Sequence, residues 1–255
     1  MTAPLTASIF LLTFAIAIGF FARQNPLLFG LNAGNLDRIS DEEFRVIAEN
    51  AVLDEILLRH KRELGQDYER YRNHCLRVLS FTAFHLSGSR QPSDRDITVA
   101  AVALAYHDIA LWTDGELNYL NPSNVVMRKE MEEIANLKVD DEPIGTSDHL
   151  MPTLSSIELT TVSQAILQHH KVTDWKAPTG EESSVDVELV NAIRKGDWAD
   201  ATYGILKFGL PTSYLQKAYL EIPEAGFHLM LAGMGRRLSP RSLLGQLAVL
   251  KILKL

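Results

Sequence analysis

The chain has 255 residues, 46% of them hydrophobic and 22% charged, with a formal net charge of −7. That length fills a sizeable core, and the composition excludes a disordered or low-complexity protein. The acidic balance, with no long basic tract, excludes general attraction to nucleic acid, and the single cysteine, Cys75, excludes an intramolecular disulfide.

Met1 to Ala22 carries no charged side chain, and Ile9 to Ala22 is strongly apolar. Such a stretch is just long enough to span a membrane. Its first basic neighbour, Arg23, lies on the C-terminal flank and places the body of the protein in the cytoplasm. Residues 1–23 are therefore read as a hydrophobic membrane-anchor or signal-like segment. Export after signal cleavage and docking of this helix on the protein's own core are the rival readings. Residues 24–39, with Pro26, Gly30 and Gly34, read as a linker.

Ser40 and Glu43 form a capping-box signature. Behind them Phe44, Val46, Ile47, Val52, Ile56 and Leu57 recur at helical spacing, predicting a helix there. A second helix is predicted over about 66–85, a turn over Gly88 to Pro92, and then a very apolar helix capped by Ser93 and ending near His107. Its Val99–Ala105 run marks it as buried on nearly all sides. Further helices are predicted at about 123–137, 156–170, 185–208, 212–221, 224–236 and 240–254. The acidic stretch Val139 to His149 reads as a surface loop. Strand signals are scarce, so the fold class is all-α: a single helical-bundle domain over 40–236 behind an N-terminal hydrophobic helix. The basic, aliphatic tail 237–255 suits a membrane interface or a last core helix.

Four residues carry the chemistry. His74, then His107 with Asp108, then Asp197 each lie in a helical stretch, so a bundle can converge them on one ion. Imidazole and carboxylate together suit divalent metals, while P-loop, dinucleotide-binding and zinc-cysteine patterns are missing from the sequence. With the segments Tyr71–Val78, Tyr106–Trp112 and Ile193–Asp200 around them, these residues resemble the HD superfamily of metal-dependent phosphohydrolases, whose signature is H…HD…D. The resemblance spans roughly residues 40 to 235.

That resemblance implies an HD-type domain hydrolysing a phosphate ester or nucleotide through a metal-activated water. It implies His74, His107, Asp108 and Asp197 as metal ligands, with His107 and Asp108 also catalytic. The family's last ligand lies in a small-residue-Asp-x-x-Asp word, matched by Gly196 to Asp200. Asp197 is taken as the ligand and Asp200 as a supporting group behind it, with the reverse assignment open. The metal is Mn, Mg, Fe, Co or Zn, its identity open.

Some HD proteins use extra histidines in this interval for a second metal, and His169 and His170 stand there. They are expected to contact substrate or a second ion, with a helix-end cap as the alternative. Lys171 is the expected phosphate contact among the cations Arg72, Arg77, Arg128, Lys171, Arg194 and Lys195. Trp112 is expected to line the pocket or simply to pack. The expected partner is a small phosphorylated molecule such as a nucleotide, with no nucleic acid and with membrane association through residues 1–22 and the tail. The competing functions are an HD-fold di-iron oxygenase and a non-catalytic nucleotide-binding sensor or scaffold at the membrane.

Overall fold

The computed structural model describes residues 45–115, 118–140, 151–180 and 184–238. The expected anchor (1–23), the linker (24–39), Ser40 and Glu43, His149 and the tail from 239 onward lie outside the described residues. Among those described, every regular element is helical and no strand occurs. The chain runs through α1 (Ala51–Arg59), the short α2 (Lys61–Leu64), a 3₁₀ turn (Gly65–Asp67), α3 (Tyr68–Ser87), α4 (Asp94–Tyr106) and the short α5 (Ala110–Thr113). It continues through α6 (Leu120–Asp140), α7 (Ser156–Gln168), α8 (Val187–Ala201), α9 (Thr212–Glu221) and α10 (Phe227–Leu238). One apolar cluster joins these helices from Val46 to Met234. No helix among the described residues is long and apolar enough to cross a membrane.

The first helix among the described residues begins later than its hydrophobic spacing predicts. Residues 45–50 are not helical, and α1 starts at Ala51. Asn50 stands in extended backbone and accepts the Leu53 N–H through its side chain, which sets the start. The preceding segment is held across the bundle instead: the Ile47 N–H donates to Ser80 Oγ, and the Arg45 carbonyl accepts from the Tyr214 hydroxyl.

Helix α4 is the central helix that its composition predicts. Ser93 and Asp96 close a reciprocal capping box at its start, and every residue from Val99 to Tyr106 is buried. It packs against α1, α3, α6, α7 and α8.

The most extensive packing in the molecule is α3 on α8, and Gly196 makes it close. A Cβ built on Gly196 would stand 2.9 Å from the Val78 carbonyl oxygen and 3.1 Å from the Thr82 nitrogen. Only glycine allows the two backbones to touch here. Asp197 and Asp200 on α8 are thereby brought against His74 and Arg77 on α3.

The helix predicted over 185–208 is shorter than its apolar pattern, ending at Ala201. Gly204 takes a φ of +78°, and its N–H reaches back to the Ala199 carbonyl at 2.7 Å, a left-handed helix stop.

Candidate metal centre

Three helices supply the expected ligand set. His74 lies midway along α3, His107 and Asp108 directly follow α4, and Asp197 lies on α8. All four are buried: His74 and His107 are 1% exposed, Asp108 6% and Asp197 7%. His74 Nε2 stands 3.3 Å from His107 Nε2 and 3.3 Å from Asp197 Oδ1. His107 Nε2 is 3.3 Å from Asp108 Oδ2 and 3.7 Å from Asp197 Oδ1. Donor atoms of His74, His107 and Asp108 lie within 4.8 Å of one another, close enough to share one ion.

The far side of each ring assigns its tautomer. His74 Nδ1 is 2.7 Å from Asp200 Oδ2, an acceptor, so this nitrogen carries the proton. His107 Nδ1 lies 2.6 Å from the Leu104 carbonyl and is likewise the donor. When both rings are neutral, two bare Nε2 lone pairs face each other with a carboxylate beside them. A donor set turned inward in this way calls for a cation or protons at its centre.

The electrostatics point the same way. Burial disfavours a charged imidazole at His107, yet the Asp108 carboxylate and the Asp197 hydrogen bond raise its pKa well above the ordinary range. Burial likewise opposes ionisation of Asp197, but hydrogen bonds from His107 and His74 hold it far below the usual carboxylate range.

Asp200 stands behind His74. It is fully buried, and Arg77 grips it bidentately, with Nε–Oδ1 at 2.7 Å and Nη2–Oδ2 at 2.9 Å. Arg77 also donates to the Ile222 and Pro223 carbonyls. Asp197 and Asp200 thus occupy opposite edges of the same imidazole, although both lie on one face of α8.

A second donor group shares Asp108. Its Oδ1 lies 3.3 Å from His169 Nε2, and neither atom has a hydrogen-bond partner although both are buried. His169 Nδ1 donates to the Ile166 carbonyl at 2.8 Å, leaving Nε2 bare. His170 completes the group, with Nε2 at 2.7 Å from the Tyr119 hydroxyl. A buried imidazole nitrogen this close to a buried carboxylate oxygen calls for a proton or a cation shared by the two. The residues present therefore fit a divalent cation, and their nitrogen and carboxylate mix suits Mn, Fe, Co or Zn better than an all-oxygen Mg site.

The remaining expected residues fall elsewhere. Arg72 is paired bidentately with Asp54, Arg77 with Asp200, and Lys195 with Asp174. Arg194 pairs with Asp174 and ties the carbonyls of Lys171 and Val172 to α8. Arg128 donates to Ser163. Lys171, half-buried, directly follows the His169–His170 pair. Trp112 donates from Nε1 to Asp67 Oδ2 at 3.2 Å and leans on the Tyr71 ring. Cys75, beside His74, is buried and directs its thiol at the Leu104 carbonyl.

Two residues near the cluster escaped the sequence reading. Phe227, the first residue of α10, stacks on His74 with ring centroids 4.0 Å apart and 8° between planes. Tyr71 lies one turn before His74 on α3, and that spacing was the one signal that could have found it.

No protein-family model, curated protein or solved structure matches the chain.

Proposed function

We propose that the chain is a metal-dependent phosphohydrolase of the HD type, acting on a phosphate ester or nucleotide. One observation carries the reading: the Nε2 atoms of His74 and His107, 3.3 Å apart and flanked by Asp197 and Asp108, form a buried, inward-facing donor set. A divalent cation held by these residues would supply Lewis acidity and lower the pKa of a bound water toward neutrality.

The chain's own groups account for the rest. Asp108 extends one oxygen to each donor group, and it or a neighbouring acid is assigned the proton of the attacking water. The phosphorus–oxygen bond of the ester breaks as the new one forms, and the leaving oxygen takes up a proton. His170 with Tyr119, and Lys171 next in sequence, are the groups assigned to the phosphoryl oxygens. Arg77 is not among them, because its guanidinium is spent on Asp200.

The second donor group supports a two-ion centre, with Asp108 shared between the ions. That arrangement also serves an oxygen-activating di-iron enzyme. Phosphate release from a panel of nucleotides and phosphomonoesters and phosphodiesters, measured with each candidate metal, separates the two. Turnover lost in His107→Ala/Asp108→Ala supports hydrolysis. Absence of phosphate release with iron-dependent oxygen uptake favours the oxygenase. Ligand binding without either reaction favours a sensor at the membrane.

A further inference from the structure

We propose that Tyr71 is a positioning residue of the metal centre: its hydroxyl fixes the backbone at which His107 and Asp108 leave α4. This rests on the reading of the buried cluster as a metal centre.

Tyr71 is fully buried on α3, on the face that carries His74 one turn later. In an uninterrupted helix the Asp108 N–H would donate to the Leu104 carbonyl. Here it donates to Tyr71 Oη at 3.1 Å, and the Leu104 carbonyl takes the His107 Nδ1 proton instead. Tyr71 Oη stands 3.2 Å from each of the Leu104 and Ala105 carbonyl oxygens and donates its own proton there. It is also 3.2 Å from His107 Nδ1. One hydroxyl thus touches both ligand residues and two of the helix-end carbonyls that α4 leaves open.

The ring is held in turn. It stacks on His107 with centroids 5.6 Å apart and 22° between planes. Trp112 packs on it as well, with centroids 4.7 Å apart, and is anchored to Asp67. Trp112, expected at the substrate, therefore braces Tyr71.

Phenylalanine at this position would provide the same apolar packing. The hydroxyl is what reaches the metal-facing residues. Tyr71→Phe keeps the ring and the core volume, so the fold is retained, but the Asp108 N–H loses its acceptor. The Asp108 carboxylate and the His107 ring then share a peptide free to reorient, and partners of this kind are worth about 10- to 100-fold in metal affinity.

The test is a Co²⁺ titration of the full chain, read by affinity and by the visible ligand-field spectrum. Tyr106→Phe serves as control: it deletes a neighbouring buried hydroxyl that donates to Glu130 at 2.8 Å, away from the cluster. The expected result is Co²⁺ affinity weaker by about 10- to 100-fold with an altered spectrum in Tyr71→Phe, and neither change in Tyr106→Phe. Wild-type affinity and spectrum in Tyr71→Phe would overturn the proposal, and so would an equal loss in the control. A wild-type chain that takes up no Co²⁺ overturns the metal centre itself and, with it, this role for Tyr71.

Discussion

His74 and Asp200 are joined at 2.7 Å through Nδ1, and that bond aims Nε2 of His74 at Asp197 and His107. Because Arg77 grips the same carboxylate, the orientation of a candidate ligand depends on a charge buried one turn further along α3. The geometry of the cluster therefore depends on residues that stand behind it.

The first prediction concerns Arg77. Replacing it by methionine leaves Asp200 buried with its charge uncompensated, a change that costs about 3–5 kcal/mol in comparable buried pairs. Both groups are completely shielded from solvent, so screening does not soften the loss. Urea denaturation is expected to show a lower midpoint and an unfolding free energy reduced by that amount at neutral pH. A midpoint equal to wild type would remove Arg77 from the account.

The same pair sets a pH dependence. Burial alone would raise the Asp200 pKa, but the Arg77 charge and the His74 hydrogen bond bring it well below the usual carboxylate range. The unfolded chain then takes up the proton first, near the ordinary value of about 3.9. Asp200 thus contributes stability that is complete above that pH and is lost as pH falls through it toward the folded value. Glu158, held at about 2 chiefly by its hydrogen bond to Arg95, adds to the same acid slope, though more weakly because Arg95 is half exposed. Wild type is expected to lose stability steeply below about pH 4, and Asp200→Asn to show a flatter acid limb. Identical limbs would contradict the assignment.

Gly196→Ala tests the helix contact that assembles the cluster. Its new Cβ would meet the Val78 carbonyl at 2.9 Å and the Thr82 backbone at 3.1 Å, so α3 and α8 must separate. The expected cost is about 1–3 kcal/mol, with weaker metal binding because Asp197 moves with the helix. Chemical denaturation and metal titration on one sample check both. Stability and affinity unchanged from wild type would mean that the helices tolerate the extra carbon.

His169→Ala tests the second donor group. Isothermal titration is expected to show fewer ions bound per chain than in wild type, with the His74 and His107 cluster still loading. An unchanged stoichiometry would leave His169 as a helix-end histidine.

Much of the helical bundle was legible because amphipathic spacing and caps are local signals. Ser93 and the buried run from Val99 to Ala105 behave as their chemistry dictates. Boundaries failed where tertiary partners overrode periodicity. The segment before Asn50 is not helical, and Ser80 and Tyr214 take two of its backbone groups, while α8 stops early, before the left-handed Gly204. In the cluster, the order of His74, His107, Asp108 and Asp197 was readable because each residue type declares its donor atoms. The fate of the cations was not, since pairing of Arg77 with Asp200, or of Arg72 with Asp54, depends on which helices meet. Tyr71 and Phe227 escaped because a buried aromatic looks the same in sequence whether it fills space or orients a ligand.

The central claim is that His74, His107, Asp108 and Asp197 hold a divalent ion. Metal content by mass spectrometry, after loading with Mn, Mg, Fe, Co or Zn and desalting, tests it most directly in wild type beside His107→Ala/Asp108→Ala. The account predicts stoichiometric metal in wild type and its loss in the double variant. Metal-free wild type under every loading, or equal content in both proteins, would contradict it.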